Sequence, residues 1–202
     1  VEHFDFTATQ ARWFHLGYLL LLDRLDGLER GETRACEVLR RARAAGLLTS
    51  VDCVSEDSQR FTERVAPVLP HVDVFFANDF EAERLTGIVL RTEGVLQPAA
   101  VRAAAERLLA AGVNRWVVLH FPEGGYAYGS SGDRHWQPAL RLPPERIAGA
   151  VGAGDALAAG VLYGLHENWP MAEALTLGVT AAAASLTDPT CSQGVRSVSA
   201  CL

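Results

Sequence analysis

The chain has 202 residues, 49% of them hydrophobic, and a net charge of −6, enough apolar material for one good core or a large part of a bigger domain. The acidic balance, with no basic run or basic helix face, argues against a nucleic-acid partner, and the apolar stretch His15 to Leu22 is far too short to span a bilayer. All 18 basic residues are arginine, which excludes a P-loop lysine, a protein-kinase lysine and a Schiff-base lysine.

In chain order, Trp13 to Leu22 reads as a buried strand. Glu32 to Ala45 reads as a helix, with Ala35, Val38, Leu39 and Ala42 on its apolar face and Gly46 as its stop. Leu47 to Val54 is a second strand, and Ser58 to Leu69 a second helix closed by Pro70. Val72 to Ala77, continuous in Val and Phe, is a strand buried on both faces. A short helix follows over Phe80 to Thr86. Pro98 opens a stronger one running to Ala111, capped by Gly112. Arg115 to Phe121 is a fourth strand. Between Gly124 and Pro138, Tyr126, Tyr128 and Trp136 flank a Gly-Ser-Ser-Gly-Asp turn, the pattern of a β-hairpin. Helices are predicted at Gly154 to His166 and Met171 to Leu186, the second nearly all small and apolar, and the tail after Pro189 reads as loop.

Strand and helix alternate with short connections, which predicts an α/β layered fold with a mainly parallel sheet. Residues 1–202 read as a single α/β domain. Val1 is not an initiator methionine and an apolar strand follows almost at once, so further residues are expected upstream. Cys36, Cys53, Cys191 and Cys201 show no C-x-x-C spacing; reduced thiols and a cytoplasmic location are the default. His15 and His120 fall in or beside strands and read as packed residues.

Three segments could carry chemistry. The first is Gly152-Ala153-Gly154-Asp155, opening a helix with a small-residue face. Free N–H groups at a helix start form a site for phosphate. An acid there needs a reason, and one is that a carboxylate can take the proton of a hydroxyl attacking phosphorus. The plain alternative is a glycine-rich helix start needed for close packing. The second segment is Asn78-Asp79-Phe80-Glu81, at the end of a buried strand. Asn78 and Glu81, three apart, could order the water shell of Mg²⁺, or could simply cap the helix. The third, His120-Phe121-Pro122-Glu123-Gly124-Gly125, puts a Gly-Gly turn at a strand end, open to a ligand or to a hairpin.

In order and spacing together, these segments resemble the ribokinase-like (PfkB-type) carbohydrate kinases, over nearly the whole chain. The resemblance implies a three-layer α/β/α fold, of which this chain would be the C-terminal two-thirds. It implies Asp155 as catalytic base, and Gly152, Ala153 and Gly154 as an anion hole shared with the Asp155 amide. Asn78 and Glu81 match the family's Asn-x-x-Glu element, tied to Mg²⁺ through water. Gly124, Gly125 and Thr180 would border the adenine nucleotide. It also implies ATP as phosphoryl donor, a sugar-like acceptor, and a Gly-Gly-Asn sugar motif and lid upstream, through which a homodimer could form. The chain departs from the family at Gly149 and Ala150, where Asp-Thr is usual. It departs again at His120-Phe121-Pro122, where Thr or Lys and then x-Gly is usual, and at Thr180, in place of an asparagine.

The expected activity is transfer of the γ-phosphoryl group of ATP to a hydroxyl of a sugar-like molecule. The departures motivate an alternative: a catalytically silent relative that binds nucleotide or sugar as a regulator. A dinucleotide-binding oxidoreductase is disfavoured. Leu142 to Arg146 is no apolar strand, and Ala174 stands about 20 residues past the turn, where the fingerprint wants an acid.

Overall fold

The computed structural model describes residues 3–7, 9–58 and 60–202. In chain order the strands and helices are β1 (Trp13–Leu19), β2 (Leu28–Glu29), β3 (Glu32–Thr33), α1 (Arg34–Ala44), β4 (Leu48–Cys53), α2 (Arg60–Val65), β5 (Val74–Asn78), α3 (Asp79–Thr86), β6 (Arg91–Thr92), β7 (Val95–Leu96), α4 (Pro98–Ala110), β8 (Trp116–Phe121), β9 (Gly124–Gly129), β10 (Arg134–Pro138), α5 (Ala153–His166), α6 (Met171–Ser185) and α7 (Val198–Cys201). Six strands hydrogen-bond in the order β1-β4-β5-β8-β9-β10. β1 pairs parallel with β4, and β4 with β5. The amides of Asn114 and Trp116, leading into β8, donate to the carbonyls of Val72 and Asp73, leading into β5; those two strands therefore run the same way. β8 and β9 are joined by only Pro122 and Glu123, a link that antiparallel strands alone permit. The predicted α/β fold with a mainly parallel sheet is thus present, with an antiparallel extension at one side.

The chain packs as two compact units. One runs to Leu119 and includes Tyr128–Asp133; the other comprises His120–Ala127 and Arg134–Leu202. In the first, Leu39, Phe61, Leu69, Phe75, Phe76, Val101 and Leu108 are buried. β5 reads Val-Phe-Phe-Ala without a polar break because those four residues are buried on both faces. In the second unit, α5 and α6 meet at van der Waals limits: a Cβ on Gly160 would stand 2.7 Å from Gly178 Cα, and one on Gly178 2.7 Å from Val161 Cγ2. The alanine- and glycine-rich composition of both helices is what permits that approach.

Three predicted elements differ. β1 stops at Leu19, not Leu22, because the backbone turns left-handed at Tyr18 (φ 58°) and Leu20 (φ 85°). The Asp52 carboxylate accepts the Tyr18 amide at 2.8 Å, and the buried Asp26 accepts those of Leu20 and Leu22 at 3.0 and 2.7 Å. The predicted helix over Ser58 to Leu69 is split: α2 ends at Val65 and a 3₁₀ segment covers Ala66–His71. Pro67 and Pro70 cannot donate the amide bonds that an α-helix requires. Gln59, within that predicted helix, lies outside the described residues. The tail carries one helical turn, α7. Among the described residues no helix is long and apolar enough to cross a membrane. All four cysteines are free thiols.

Candidate active site

In the first unit, Asn78 ends β5 in extended conformation and caps α3. Its Oδ1 accepts the Glu81 amide at 2.9 Å, and its own amide donates to Glu81 Oε2 at 3.0 Å, a reciprocal capping box. Ser55, just beyond β4, closes the arrangement. Asn78 Nδ2 donates to Ser55 Oγ at 2.8 Å, and Ser55 Oγ donates to Glu81 Oε1 at 2.8 Å. Glu81 is 3% exposed. Burial pushes its pKa up, opposed by the bonds from the Asn78 amide and Ser55 hydroxyl and reinforced by the nearby charges of Asp52 and Asp79. Asp79 itself is engaged by Arg91 Nε at 2.7 Å.

Both carboxylate oxygens of Glu81 are therefore held by protein donors. Among the described residues there is no group of three or more His, Cys, Asp or Glu that could hold a metal ion. With both oxygens so engaged, these residues form no all-protein cage, and a Mg²⁺ would meet them only through its own water shell.

Within β1 and β4 in the same unit, His15 Nδ1 lies 2.9 Å from Ser50 Oγ, and His15 Nε2 3.6 Å from Asp52 Oδ2. Cross-strand register sets His15 opposite Ser50. Ser50 is fully buried, so this trio ties β1 to β4 and offers no exposed nucleophile.

In the second unit, Gly152 takes a left-handed conformation (φ 82°, ψ 0°) as N-cap of α5. A Cβ there would stand 2.5 Å from the Cys191 carbonyl oxygen, so only glycine suits the position on two counts. The Ala153 amide makes a long bond, 3.3 Å, to the Ala150 carbonyl, and the first full helical bond runs from the Ala156 amide to the Gly152 carbonyl at 2.9 Å. Ahead of Ala156 lies the first turn of α5, where a helix start has no intrahelical acceptors for its amides, and the Ala153 amide turns back into the loop. Asp155 is the third residue of α5 and is half-buried. Its charge sits at the positive end of the helix. Gly149 packs against Pro189, and the Ala148 and Gly149 amides donate to the Leu186 carbonyl.

Gly124 and Gly125 do not form the Gly-Gly turn read from the sequence. The turn is Pro122-Glu123, and both glycines lie buried at the start of β9. A Cβ on Gly124 (φ 144°) would strike the Gln137 carbonyl oxygen at 2.2 Å; one on Gly125 would meet Leu175 and Val179 at 3.0 and 3.2 Å. These neighbours within the protein are enough to require small residues at both positions. Thr180 is half-buried on α6 and bonds its own helix, donating to the Thr176 and Leu177 carbonyls at 3.0 Å each.

Four partners of these residues could not be read from the sequence: Ser55, Asp52, Cys191 and His120. Each comes from a separate loop or strand. The His120 ring lies over Gly154, with Cε1 3.1 Å from the place of a Cβ.

The chain matches the pfkB family carbohydrate kinase model over residues 24–197. It is 34% identical over 96 residues to the 5-dehydro-2-deoxygluconokinase of Clostridium beijerinckii, an overlap of 48% of this chain and 27% of that one. It is 33% identical over 79 residues to the protein of the same name from Geobacillus kaustophilus, 39% and 23% of the two chains. The chain thus spans about a quarter of the length of these relatives. In fold it resembles the aminoimidazole riboside kinase of Salmonella enterica, crystallised with aminoimidazole riboside and an ATP analog (TM-score 0.71, 20% identity, 94% and 61% of the two chains). It also resembles Arabidopsis thaliana ribokinase, complexed with ribose and ATP (TM-score 0.70, 18% identity, 83% and 50%).

Proposed function

Since the chain belongs to the pfkB family of carbohydrate kinases, we propose that it is the phosphate-handling part of an ATP-dependent phosphotransferase acting on a hydroxyl of a sugar or sugar acid. The observation that carries this reading is the position of Asp155, in the first turn of α5 directly after a glycine-rich left-handed turn. Asp155 accepts the proton of the acceptor hydroxyl as its oxygen bonds to the γ-phosphorus, while the bond to the leaving ADP breaks. Main-chain amides of the Gly152-Ala153-Gly154-Asp155 turn stabilise charge on the transferring phosphoryl oxygens. A bound Mg²⁺ supplies neutralisation of phosphate charge. Asn78 and Glu81 would orient its water shell and are locked for that task by Ser55. Gly124, Gly125 and Thr180 would border the nucleotide as backbone and wall, with no side-chain hydrogen bond assigned to the glycines.

The Clostridium beijerinckii and Geobacillus kaustophilus relatives both bear the name 5-dehydro-2-deoxygluconokinase, which makes a keto sugar acid the first acceptor to test beside ribose, fructose and nucleosides. A coupled assay of ADP release over that panel tests the reading. Release with one acceptor supports it; nucleotide or sugar binding with no turnover on any acceptor supports the silent regulator instead.

A further inference from the structure

The turn that presents Asp155 is clamped from two sides. At Gly152 the neighbour is main chain: the Cys191 carbonyl oxygen lies 2.5 Å from the place of a Cβ. At Gly154 the contact is a side chain: the His120 imidazole, with Cε1 at 3.1 Å, Nε2 at 3.4 Å and Nδ1 at 3.9 Å from the place of a Cβ. His120 and Gly154 belong to the same compact unit. His120 is the next-to-last residue of β8 and half-buried, and the two-residue Pro122-Glu123 turn follows at once. The strand end thus holds the ring with little backbone freedom. On the other side of the contact, Gly154 is the residue directly before Asp155.

We propose that His120 is a positioning residue for Asp155: its ring fills the space over Gly154 and thereby sets where the first turn of α5, and the carboxylate on it, comes to rest. The inference rests on the reading of Asp155 as base. Proton transfer requires heavy atoms about 2.6–3.2 Å apart, and a misplacement of about 1 Å can cost about 100-fold in rate. At 3.1 Å a methyl group at 154 is tighter than an ordinary contact, and ring or helix start must shift by a few tenths of an ångström to admit it.

A size-swap cycle tests this: Gly154→Ala, His120→Ala, the double variant and His120→Asn, each measured for kcat, for KM of nucleotide and acceptor, and for thermal unfolding. Gly154→Ala pushes ring and helix start apart and lowers kcat by about 10-fold, with KM little changed. Its melting temperature does not fall in step, because alanine favours the helix over glycine. Removing the ring in the double variant frees the space for the new methyl. It restores kcat by about 3-fold or more over Gly154→Ala, as expected of residues in contact. His120→Asn, which keeps a planar polar group there, stays closer to wild type than His120→Ala. Multiplicative losses in the double variant, or shifts in melting temperature with kcat unchanged, overturn the proposal. An inactive Asp155→Asn with normal kcat in every variant at 120 and 154 overturns it alone and leaves the base reading standing. Full activity in Asp155→Asn overturns the base reading first.

Discussion

Asn78 and Glu81 hold each other by two reciprocal hydrogen bonds, the Glu81 amide to Asn78 Oδ1 at 2.9 Å and the Asn78 amide to Glu81 Oε2 at 3.0 Å. Ser55 bridges both side chains. The pair that resembles a family Mg²⁺ element is therefore also the helix cap of α3. The cap fixes the Glu81 carboxylate in place, and the proposed Mg²⁺ role would draw on that same fixed position.

Asn78→Ala removes the acceptor for the Glu81 amide and the donor to Ser55. It should lower unfolding free energy by about 1–2 kcal/mol, the range for loss of an N-cap. Urea unfolding monitored by circular dichroism measures it. No change in midpoint would mean that the cap contributes nothing to α3.

Glu81 gives a pH dependence of stated sign. Its folded pKa is raised, chiefly by burial, so the folded state binds its proton more tightly than the unfolded chain does. Its contribution to stability is most favourable below the ordinary carboxylate pKa and falls as pH rises from there through the raised value. Glu81→Gln should remove that slope. In the stability difference, wild type minus variant, wild type should lose ground between about pH 4 and neutrality. A flat difference over that range contradicts the burial argument.

Gly160→Ala places a methyl group 2.7 Å from Gly178 Cα. In an open helix the change would stabilise; here overpacking should dominate, at a cost of about 1–3 kcal/mol. Gly46→Ala serves as the comparison, because a Cβ there meets nothing within 4 Å and the cost comes only from its left-handed φ of 88°. Thermal unfolding of both separates packing from conformational strain. A Gly160→Ala variant as stable as wild type would refute the close approach of α5 and α6.

Much of the fold was legible where local signals agree. α4 begins at Pro98, as its proline demands, and α5 and α6 end within one residue of expectation at His166 and Ser185. The ribokinase-like resemblance, read from spacing, is matched by the family over residues 24–197. Other features depend on distant partners. The end of β1 is set by Asp52 and Asp26 accepting amides from left-handed turns, and nothing in Tyr18 or Leu20 themselves announces that. The two-residue strands β2, β3, β6 and β7 are too short to show alternation. Pro67 broke a helix whose apolar spacing otherwise looked continuous.

The site divides in the same way. Asp155 and the Asn78–Glu81 pair stand out because their spacing is local. Ser55 and His120 reach them only through strand order, 26 residues before Glu81 in one case and across a hairpin from Gly154 in the other. Gly124 and Gly125 looked like an open turn, yet their absent side chains make room for Gln137, Leu175 and Val179.

The most direct measurement is ADP release by wild type and Asp155→Asn with ATP, Mg²⁺ and the acceptor panel headed by 5-dehydro-2-deoxygluconate. Circular dichroism confirms that both are folded. Wild type should turn over at least one acceptor, and the asparagine variant should run about 10²–10⁴-fold slower with unchanged unfolding. An asparagine variant with near wild-type kcat would contradict the role assigned to Asp155.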